Sequence, residues 1–126
     1  MNYKLGDVLN EDVMQMQVFQ WAAYEMGKYP QLALMYHVPN EGKRTMPGGY
    51  KMKLKGLKPG VPDICLPVPK TYYGALYIEL KMPDGRHTAA QSEYMQALRD
   101  AGNYVKTCRS VDDAIKTITD YMNEKF

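Results

Sequence analysis

Three charged residues near the middle of the chain have the types and spacing to bind a metal ion and cleave a phosphodiester. Asp63 closes the segment from Gly60 to Asp63, and Glu79 and Lys81 follow in the segment from Tyr77 to Lys81. Hydrolysis of a phosphodiester requires neutralisation of the charge that develops on the phosphate. Two carboxylates that hold a divalent cation, next to a lysine ammonium group, can provide that neutralisation.

The two segments are predicted to be neighbouring strands. Residues 63–66 and 75–81 are mainly apolar and are joined through Pro67, Pro69 and Gly74, so an antiparallel hairpin is the simplest pairing. Because side chains alternate across a strand, Glu79 and Lys81 point to the same face. Asp63, at the start of the partner strand, can then approach Glu79.

We expect Asp63, Glu79 and the backbone carbonyl of Leu80 to bind Mg²⁺ or Mn²⁺, since both ions accept all-oxygen ligation. The metal would lower the pKa of a bound water, and Lys81 would position the hydroxide or offset charge on the phosphorane. Each motif alone has an ordinary explanation, because Glu-x-Lys is a common solubilising pair on a strand and Pro-Asp is common in turns. Their joint order and spacing favour the catalytic interpretation.

Helices and further strands are predicted around this hairpin. Asn10 is expected to cap a helix over residues 11–27, and Thr88 with Gln91 has the capping-box spacing of a helix that ends at Gly102. The other predicted elements are a strand or extended segment at 32–38, a short helix at 50–57, a strand at 104–108 and a final helix after Ser110. This order favours an α/β fold whose mixed sheet is covered by helices on both faces.

Length and composition indicate a small soluble protein. The 126 residues fit one domain spanning residues 1–126. We expect a cytosolic protein, because the first residues lack an apolar h-region and no stretch approaches the roughly 20 apolar residues of a membrane span. Cys65 and Cys108 lie in apolar runs and are interpreted as reduced core residues.

The charge distribution is more informative than the net charge of +2. No acid occurs between Gly42 and Pro62, and the basic residues of that interval are Lys43, Arg44, Lys51, Lys53, Lys55 and Lys58. Such a segment can present a positive field to a phosphate backbone, although a solvated lysine-rich surface would have the same composition. Its position just before the Asp63 motif favours DNA binding.

From Glu11 to nearly the C-terminus, the chain resembles the virus-type replication-repair nuclease (VRR-NUC) domain of the PD-(D/E)xK superfamily. The resemblance rests on Glu11 with Gln15 and Trp21, on the segment from His37 to Arg44, and on both motifs described above. Gln91, the segment from Gly102 to Val105 and the segment from Asp112 to Ile115 extend it.

The resemblance implies a single-domain, restriction-endonuclease-like core of αβββαβ type, with divalent-metal chemistry and DNA as substrate. It adds Glu11, as a metal ligand or a neighbour of the metal site, and Gln91 to the catalytic set of Asp63, Glu79 and Lys81. Both also have plain structural roles, since an acid is favoured in a first helical turn and Gln91 completes a capping box. Asn40 and Arg44 would reach DNA from the loop, whereas His37 is interpreted as a core or supporting residue.

Small stand-alone relatives of this type resemble phage proteins that act as dimers on branched DNA. We therefore expect a metal-dependent deoxyribonuclease that cuts branched DNA, such as a Holliday junction, as a homodimer in the cytoplasm of a bacterial or phage-infected host cell. A dimer fits because a junction needs two symmetric cuts. The alternatives are a non-catalytic DNA-binding or assembly module of the same fold, and an exonuclease or restriction-like nuclease. Neither a membrane nor an organic cofactor is expected as a partner.

Overall fold

The computed structural model describes residues 10–39 and 51–126. Its first half contains helix α1 (Glu11–Glu25), a 3₁₀ helix (Pro30–Leu34) and strand β1 (Tyr36–His37). Residues 51–54 are helical. The remaining elements are β2 (Ile64–Leu66), β3 (Leu76–Leu80), α2 (Ala89–Asp100), β4 (Tyr104–Cys108) and α3 (Val111–Met122). None of the helices in the described ranges is long and apolar enough to span a membrane.

The four described strands form one mixed sheet in the order β1-β2-β3-β4. β2 and β3 are antiparallel, with Ile64 opposite Ile78 and Leu66 opposite Leu76. β4 runs parallel to β3, as expected for strands that are connected through a helix. The predicted α/β class, the antiparallel hairpin and the mixed sheet are therefore confirmed.

The two faces of the sheet have different functions because side chains alternate along β3. Leu76, Ile78 and Leu80 point into the main core, where they join apolar residues of α1 and α3, among them Met14, Val18, Ala114, Ile118 and Tyr121. Tyr77 and Glu79 belong to the opposite face. On that face, the first turn of α2 reaches Glu79 through Gln91. The alternation thus places the apolar residues of β3 in the main core and Glu79 on the face that α2 covers.

Side-chain caps fix where the helices begin. Asn10 accepts a hydrogen bond from the Val13 amide at the start of α1, and Ser110 accepts one from the Asp113 amide at the start of α3. Thr88 and Gln91 form the predicted capping box of α2. Each cap satisfies backbone N–H groups that lack a partner within the helix, so these predicted helix starts are confirmed.

Several predicted elements differ in extent. The strands predicted at 63–66 and 75–81 span Ile64–Leu66 and Leu76–Leu80, and helix α2 ends at Asp100 rather than at Gly102. Helix α1 ends at Glu25 rather than at residue 27. The segment 32–38 is wrong as one strand, because Pro30 starts a 3₁₀ helix that buries Leu32 and Met35, and only Tyr36–His37 pairs with β2. The helix predicted at 50–57 is helical over 51–54, and Gly56 follows with a φ of +103° that ends it. Residue 50 lies outside the described ranges.

Candidate active site

Asp63 and Glu79 meet where the β2–β3 hairpin ends. The pairing of Ile64 with Ile78 continues one step to place Asp63 opposite Glu79, on the face that α2 covers. The neighbouring Asp63 carboxyl group is close enough to perturb the pKa of Glu79. Two carboxyl groups from separate parts of the sequence therefore share one small volume, as the spacing of the motifs predicts.

Pro62 explains why Asp63 points its carboxylate towards β3. The next step of the same register sets Pro62 opposite Leu80, and proline has no N–H with which to continue the ladder. The Leu80 amide instead donates to Oδ2 of Asp63 over 2.7 Å. The end of the ladder thus becomes a fixed attachment for the carboxylate, and it brings Asp63 to the residue whose carbonyl is the proposed third ligand.

Glu79 is buried in a setting that disfavours its charge. The residue is only 2% exposed. Burial first, then the neighbouring Asp63 carboxyl group and more weakly Glu11, raise the pKa of its carboxyl group against the opposing charge of Lys81, with a net result of about 9. Oε2 of Glu79 is buried without a hydrogen-bond partner among the described residues. A buried carboxylate oxygen with an unused lone pair is costly, and a cation between the two carboxylates would satisfy it.

Gln91 performs two functions with one side chain. Its amide oxygen accepts a hydrogen bond from the Thr88 amide over 2.9 Å, which completes the capping box. Its amide nitrogen thereby faces Glu79 and lies 3.5 Å from Oε1, at the long limit of a hydrogen bond. The two roles considered for Gln91 from sequence, cap and site residue, are compatible in one conformation.

Gly60 sets the distance between the Asp63 segment and helix α2. It has a φ of +84°, and a Cβ at this position would lie 2.4 Å from the Ala90 carbonyl oxygen and 2.8 Å from the Gln91 nitrogen. A side chain would therefore force the segment and the helix apart. The glycine of the Gly-Val-Pro-Asp motif allows the backbone to pass directly against the residue that contacts Glu79.

Lys81 lies just beyond β3, on the same face as Glu79. It is 8% exposed, and its amide donates to the Cys108 carbonyl at the end of β4 over 3.0 Å. The ammonium group is close enough to lower the cost of ionising Glu79. A cation beside two carboxylates is the arrangement that the sequence predicted for offsetting charge on a phosphate.

Glu11 occupies the first turn of α1, where it is exposed. Its charge raises the pKa of Glu79, which places it in the neighbourhood of the site. In residues 10–39 and 51–126, however, no three His, Cys, Asp or Glu side chains converge as a metal-binding group. The structure thus places Glu11 near the carboxylate pair, and its role as a metal ligand or as a neighbour of the metal site stays a prediction.

His37 has a more specific contact with the site than the sequence indicated. It is exposed rather than part of the core, and its Nδ1 lies 2.9 Å from the Asp63 carbonyl oxygen. The Val38 amide donates to the same oxygen over 2.8 Å. The His-Val-Pro segment thus fixes the backbone of Asp63. The only signal for this contact in the sequence was that His37 belongs to a segment that resembles the VRR-NUC family.

The predicted DNA-binding residues divide into two groups. Asn40, Lys43 and Arg44 lie outside the described residues. The four lysines that follow are all exposed: Lys51, Lys53, Lys55 and Lys58. Three of these lie in or beside the helical residues 51–54, so their ammonium groups are accessible to a polyanion.

Both cysteines are free and buried, which confirms their prediction as reduced core residues. Burial raises the pKa of the Cys108 thiol to about 11, so this sulfur is protonated and unreactive at neutral pH. Neither cysteine belongs to the carboxylate pair. The candidate chemistry is accordingly that of oxygen ligands and an ammonium group.

Comparison with known proteins identifies the family of this chain. The sequence profile of the VRR-NUC domain matches residues 4–112, which is most of the chain and includes every candidate site residue. The chain belongs to the VRR-NUC family. Membership in this family indicates a nuclease of the PD-(D/E)xK type, with DNA as the substrate that such a domain implies. A comparison with curated protein sequences gave no match.

A solved structure described as a VRR_NUC domain protein has a similar fold. It superposes with a TM-score of 0.79 at 27% sequence identity, covering 91% of this chain and 89% of the other. The mixed sheet flanked by helices is thus a restriction-endonuclease-like core shared with another VRR-NUC domain. The fold and the family predicted from the sequence motifs are both confirmed.

Proposed function

We propose that this VRR-NUC protein is a divalent-metal-dependent endonuclease that cuts branched DNA, including four-way junctions, as a homodimer. The observation that carries the proposal is the buried pair of Asp63 and Glu79, with the Oε2 atom of Glu79 unsatisfied among the described residues and Lys81 alongside. A non-catalytic DNA-binding module would have no need to maintain so costly an arrangement.

The donor set fits a hard divalent cation. Asp63, Glu79 and the Leu80 carbonyl offer only oxygen atoms, which Mg²⁺ and Mn²⁺ prefer, and water would complete the coordination. When bound, such an ion supplies charge neutralisation at the scissile phosphate and lowers the pKa of a water ligand. The unsatisfied oxygen and the repulsion within the carboxyl pair are both relieved by a cation at this position.

The chain's own residues then have distinct roles. Lys81 places a positive charge beside the carboxylate pair, where it offsets charge that develops on the phosphate. Gln91 directs its amide nitrogen towards Glu79 and holds that carboxylate in orientation. Glu11 adds negative charge at the edge of the site and orients water near the carboxylates. Exposed lysines of residues 51–58 bind the DNA backbone outside the site.

We infer a dimer from the number of cuts that the reaction needs, and not from an observed interface between two copies. One site of this kind cleaves one strand, and resolution of a four-way junction requires two symmetric cuts. Two copies related by a two-fold axis would supply them. Membership in a nuclease family supports the chemical part of this proposal, and the one carboxylate pair seen in the part of the chain that the structure describes supports the need for a second copy.

Cleavage of end-labelled DNA tests the proposal. Four-way junction, flap, duplex and single-stranded substrates are incubated with the wild-type protein in Mg²⁺ or Mn²⁺. We expect paired symmetric cuts in the junction and their loss in Asp63→Asn, which keeps the size of the side chain and an acceptor for the Leu80 amide. Asp12→Asn, an exposed acid of α1, is the matched control and should cut normally.

Each result has a defined meaning. Cutting of duplex or single strands in preference to junctions would contradict the branched-DNA specificity but retain the metal site. DNA binding without cutting in either metal would favour the non-catalytic module. Full activity in Asp63→Asn would show that the carboxylate pair is not the active site.

A further inference from the structure

The segment that follows Lys81 is held by an arginine from another part of the fold. Residues Met82, Pro83, Asp84 and Gly85 form a tight turn, closed by a hydrogen bond of 2.9 Å from the Gly85 amide to the Met82 carbonyl. Nη1 of Arg109 donates to three carbonyl oxygens of this turn, at 3.0 Å from Met82, 3.3 Å from Pro83 and 2.7 Å from Gly85. One charged donor therefore binds the whole turn.

Arg109 is itself anchored close to the site. It follows Cys108, whose carbonyl accepts the Lys81 amide, and precedes Ser110, which caps α3. Its own amide lies 3.4 Å from Oδ2 of Asp113 in the first turn of that helix. The backbone that carries the guanidinium group is thus fixed between a strand and a helix. Through its hydrogen bonds, the guanidinium group holds the turn in place relative to both elements.

The turn packs against the aliphatic part of the Lys81 side chain. A Cβ added at Gly85 would lie 3.3 Å from Cδ and 3.5 Å from Cβ of Lys81, so the turn passes beside the lysine stem with no room for a side chain between them. Lys81 is 8% exposed. Only a covered stem leaves so little of a lysine in solvent, and the direction of the ammonium group therefore depends on the position of the turn.

The segment is also attached at its far end. Nε2 of His87 lies 2.8 Å from Oγ1 of Thr107, and Thr107 is paired with Glu79 in the sheet. Burial, together with the positive charges of Lys81 and Arg109, lowers the pKa of His87. The stretch from residue 82 to residue 87 consequently crosses the site with both of its ends bound to β4 or to the residue after it.

We propose that Arg109 is a positioning residue that directs Lys81 at the scissile phosphate by clamping the turn from Met82 to Gly85. The inference rests on the proposed nuclease function and assigns a role to a residue that lies outside its catalytic set. The sequence is consistent with the turn itself, since Pro at the second and Gly at the fourth position are typical of type I turns. Nothing in the spacing indicates that an arginine 24 residues beyond Gly85 binds that turn.

The test is a double-mutant cycle between Arg109 and Lys81 under single-turnover conditions with excess enzyme and saturating metal. Arg109→Ala should slow cleavage of the preferred DNA by about 10- to 100-fold, since small displacements of a catalytic group have effects of this size. The dissociation constants for DNA and Mn²⁺ should change less than about threefold. In the Lys81→Ala background, adding Arg109→Ala should cause no further loss, because the arginine acts through the lysine.

Two further variants separate positioning from folding. Arg109→Lys keeps one donor for the turn carbonyls and should recover part of the rate. Arg99→Ala is the matched control, because Arg99 also donates its guanidinium to a backbone carbonyl, that of Val105 in β4 at 3.0 Å, rather than to the carbonyls that Arg109 binds. It should cleave at the wild-type rate. Thermal unfolding of each variant shows whether a lost rate reflects a lost fold.

Several outcomes would overturn the proposal. Equal losses from Arg109→Ala in both backgrounds would show independent action, and weaker DNA binding with an unchanged single-turnover rate would assign Arg109 to phosphate binding. If Arg109→Ala does not fold, the cycle is run with Arg109→Lys instead, and a folded Arg109→Lys protein that loses the same rate in the wild-type and Lys81→Ala backgrounds excludes the clamp. A wild-type protein that cuts no DNA removes the proposed function itself, and with it this role.

Discussion

Glu79 combines burial, a neighbouring carboxyl group and an Oε2 atom that has no hydrogen-bond partner in residues 10–39 and 51–126. Burial first, and then the neighbouring Asp63 carboxyl group, raise the pKa of Glu79 from its ordinary value of 4.5 to about 9. A cation binds the deprotonated form, so ion binding must release a proton at neutral pH. Affinity for Mn²⁺ should therefore increase as the pH rises towards 9, in addition to any effect on the reaction.

The same residue predicts an unusual dependence of stability on pH in the presence of a chelator. The unfolded chain loses the Glu79 proton as the pH rises through about 4.5, whereas the folded protein retains it to about 9. The folded state therefore binds more protons across this interval, and the free energy of unfolding falls as the pH increases. Glu79→Gln removes the titrating group, so the variant should unfold roughly 5 °C above the wild type near pH 8.

Thermal unfolding in EDTA at intervals from pH 5 to pH 9 measures this difference. Glu93→Gln, an exposed acid on α2, is the control and should follow the wild type at every pH. The melting temperatures of wild type and Glu79→Gln should converge near pH 5. A constant separation between those two curves would contradict the raised pKa of Glu79.

At the scale of elements, the site depends on how closely the Asp63 segment approaches helix α2. Gly60→Ala adds a methyl group that meets the Ala90 carbonyl oxygen at 2.4 Å, at a φ of +84° that alanine disfavours. We expect a loss of about 2–4 kcal/mol in the free energy of unfolding. Cleavage should also slow, because displacement of α2 separates Gln91 from Glu79.

Denaturant unfolding and single-turnover cleavage together check the Gly60 prediction. Gly27→Ala provides the matched change, since a Cβ at Gly27 would meet no atom within 4 Å. It should alter stability by less than about 1 kcal/mol and leave cleavage unchanged. If both alanine variants behave alike, the close approach of Gly60 to α2 has no energetic consequence.

Local signals in the sequence were sufficient for most of these elements. The caps at Asn10, Thr88 and Ser110 and the alternation along β3 depend on residues within a few positions of one another, and the structure confirms them. The prediction of one strand over 32–38 was wrong, because an apolar run bounded by prolines is also compatible with a 3₁₀ helix. Leu32 in that helix and Met35 directly after it are both buried. Here tertiary burial, rather than local pattern, decided the conformation.

The candidate site divides in the same way. The sequence was sufficient to predict that Asp63, Glu79 and Lys81 lie together, because the register of the hairpin fixes their relative positions. The contacts of His37 with Asp63 and of Arg109 with the turn after Lys81 join positions 24 or more residues apart and have no periodicity. Such contacts follow from the packing of whole elements, which a local pattern does not encode.

At the scale of the molecule, the site lies where one end of the sheet meets the N-terminal turn of α2. The Asp63 end of the hairpin, the end of β4 and the first turn of α2 all contribute residues to this region. The main core lies on the opposite face, between the sheet and helices α1 and α3. The main core and the carboxylate pair therefore lie on different faces of the sheet, and a DNA substrate is much larger than the site itself.

A substrate that large requires contacts outside the catalytic centre, and the exposed lysines at 51–58 are the proposed source. Replacing Lys51, Lys53 and Lys55 with alanine should weaken binding to a fluorescent four-way junction and reduce the slope of log K against log salt by about 2–3, or roughly 0.9 for each lost phosphate contact. Anisotropy titrations of these variants in the Asp63→Asn background in Mg²⁺ measure the change in DNA affinity without cleavage.

The control triple variant replaces Lys28, Lys116 and Lys125 with alanine. These lysines are also exposed, and their replacement removes the same net charge. Its slope should stay near that of the parent, whereas equal slopes in both triple variants would assign the effect to net charge alone and return residues 51–55 to an ordinary solvated surface.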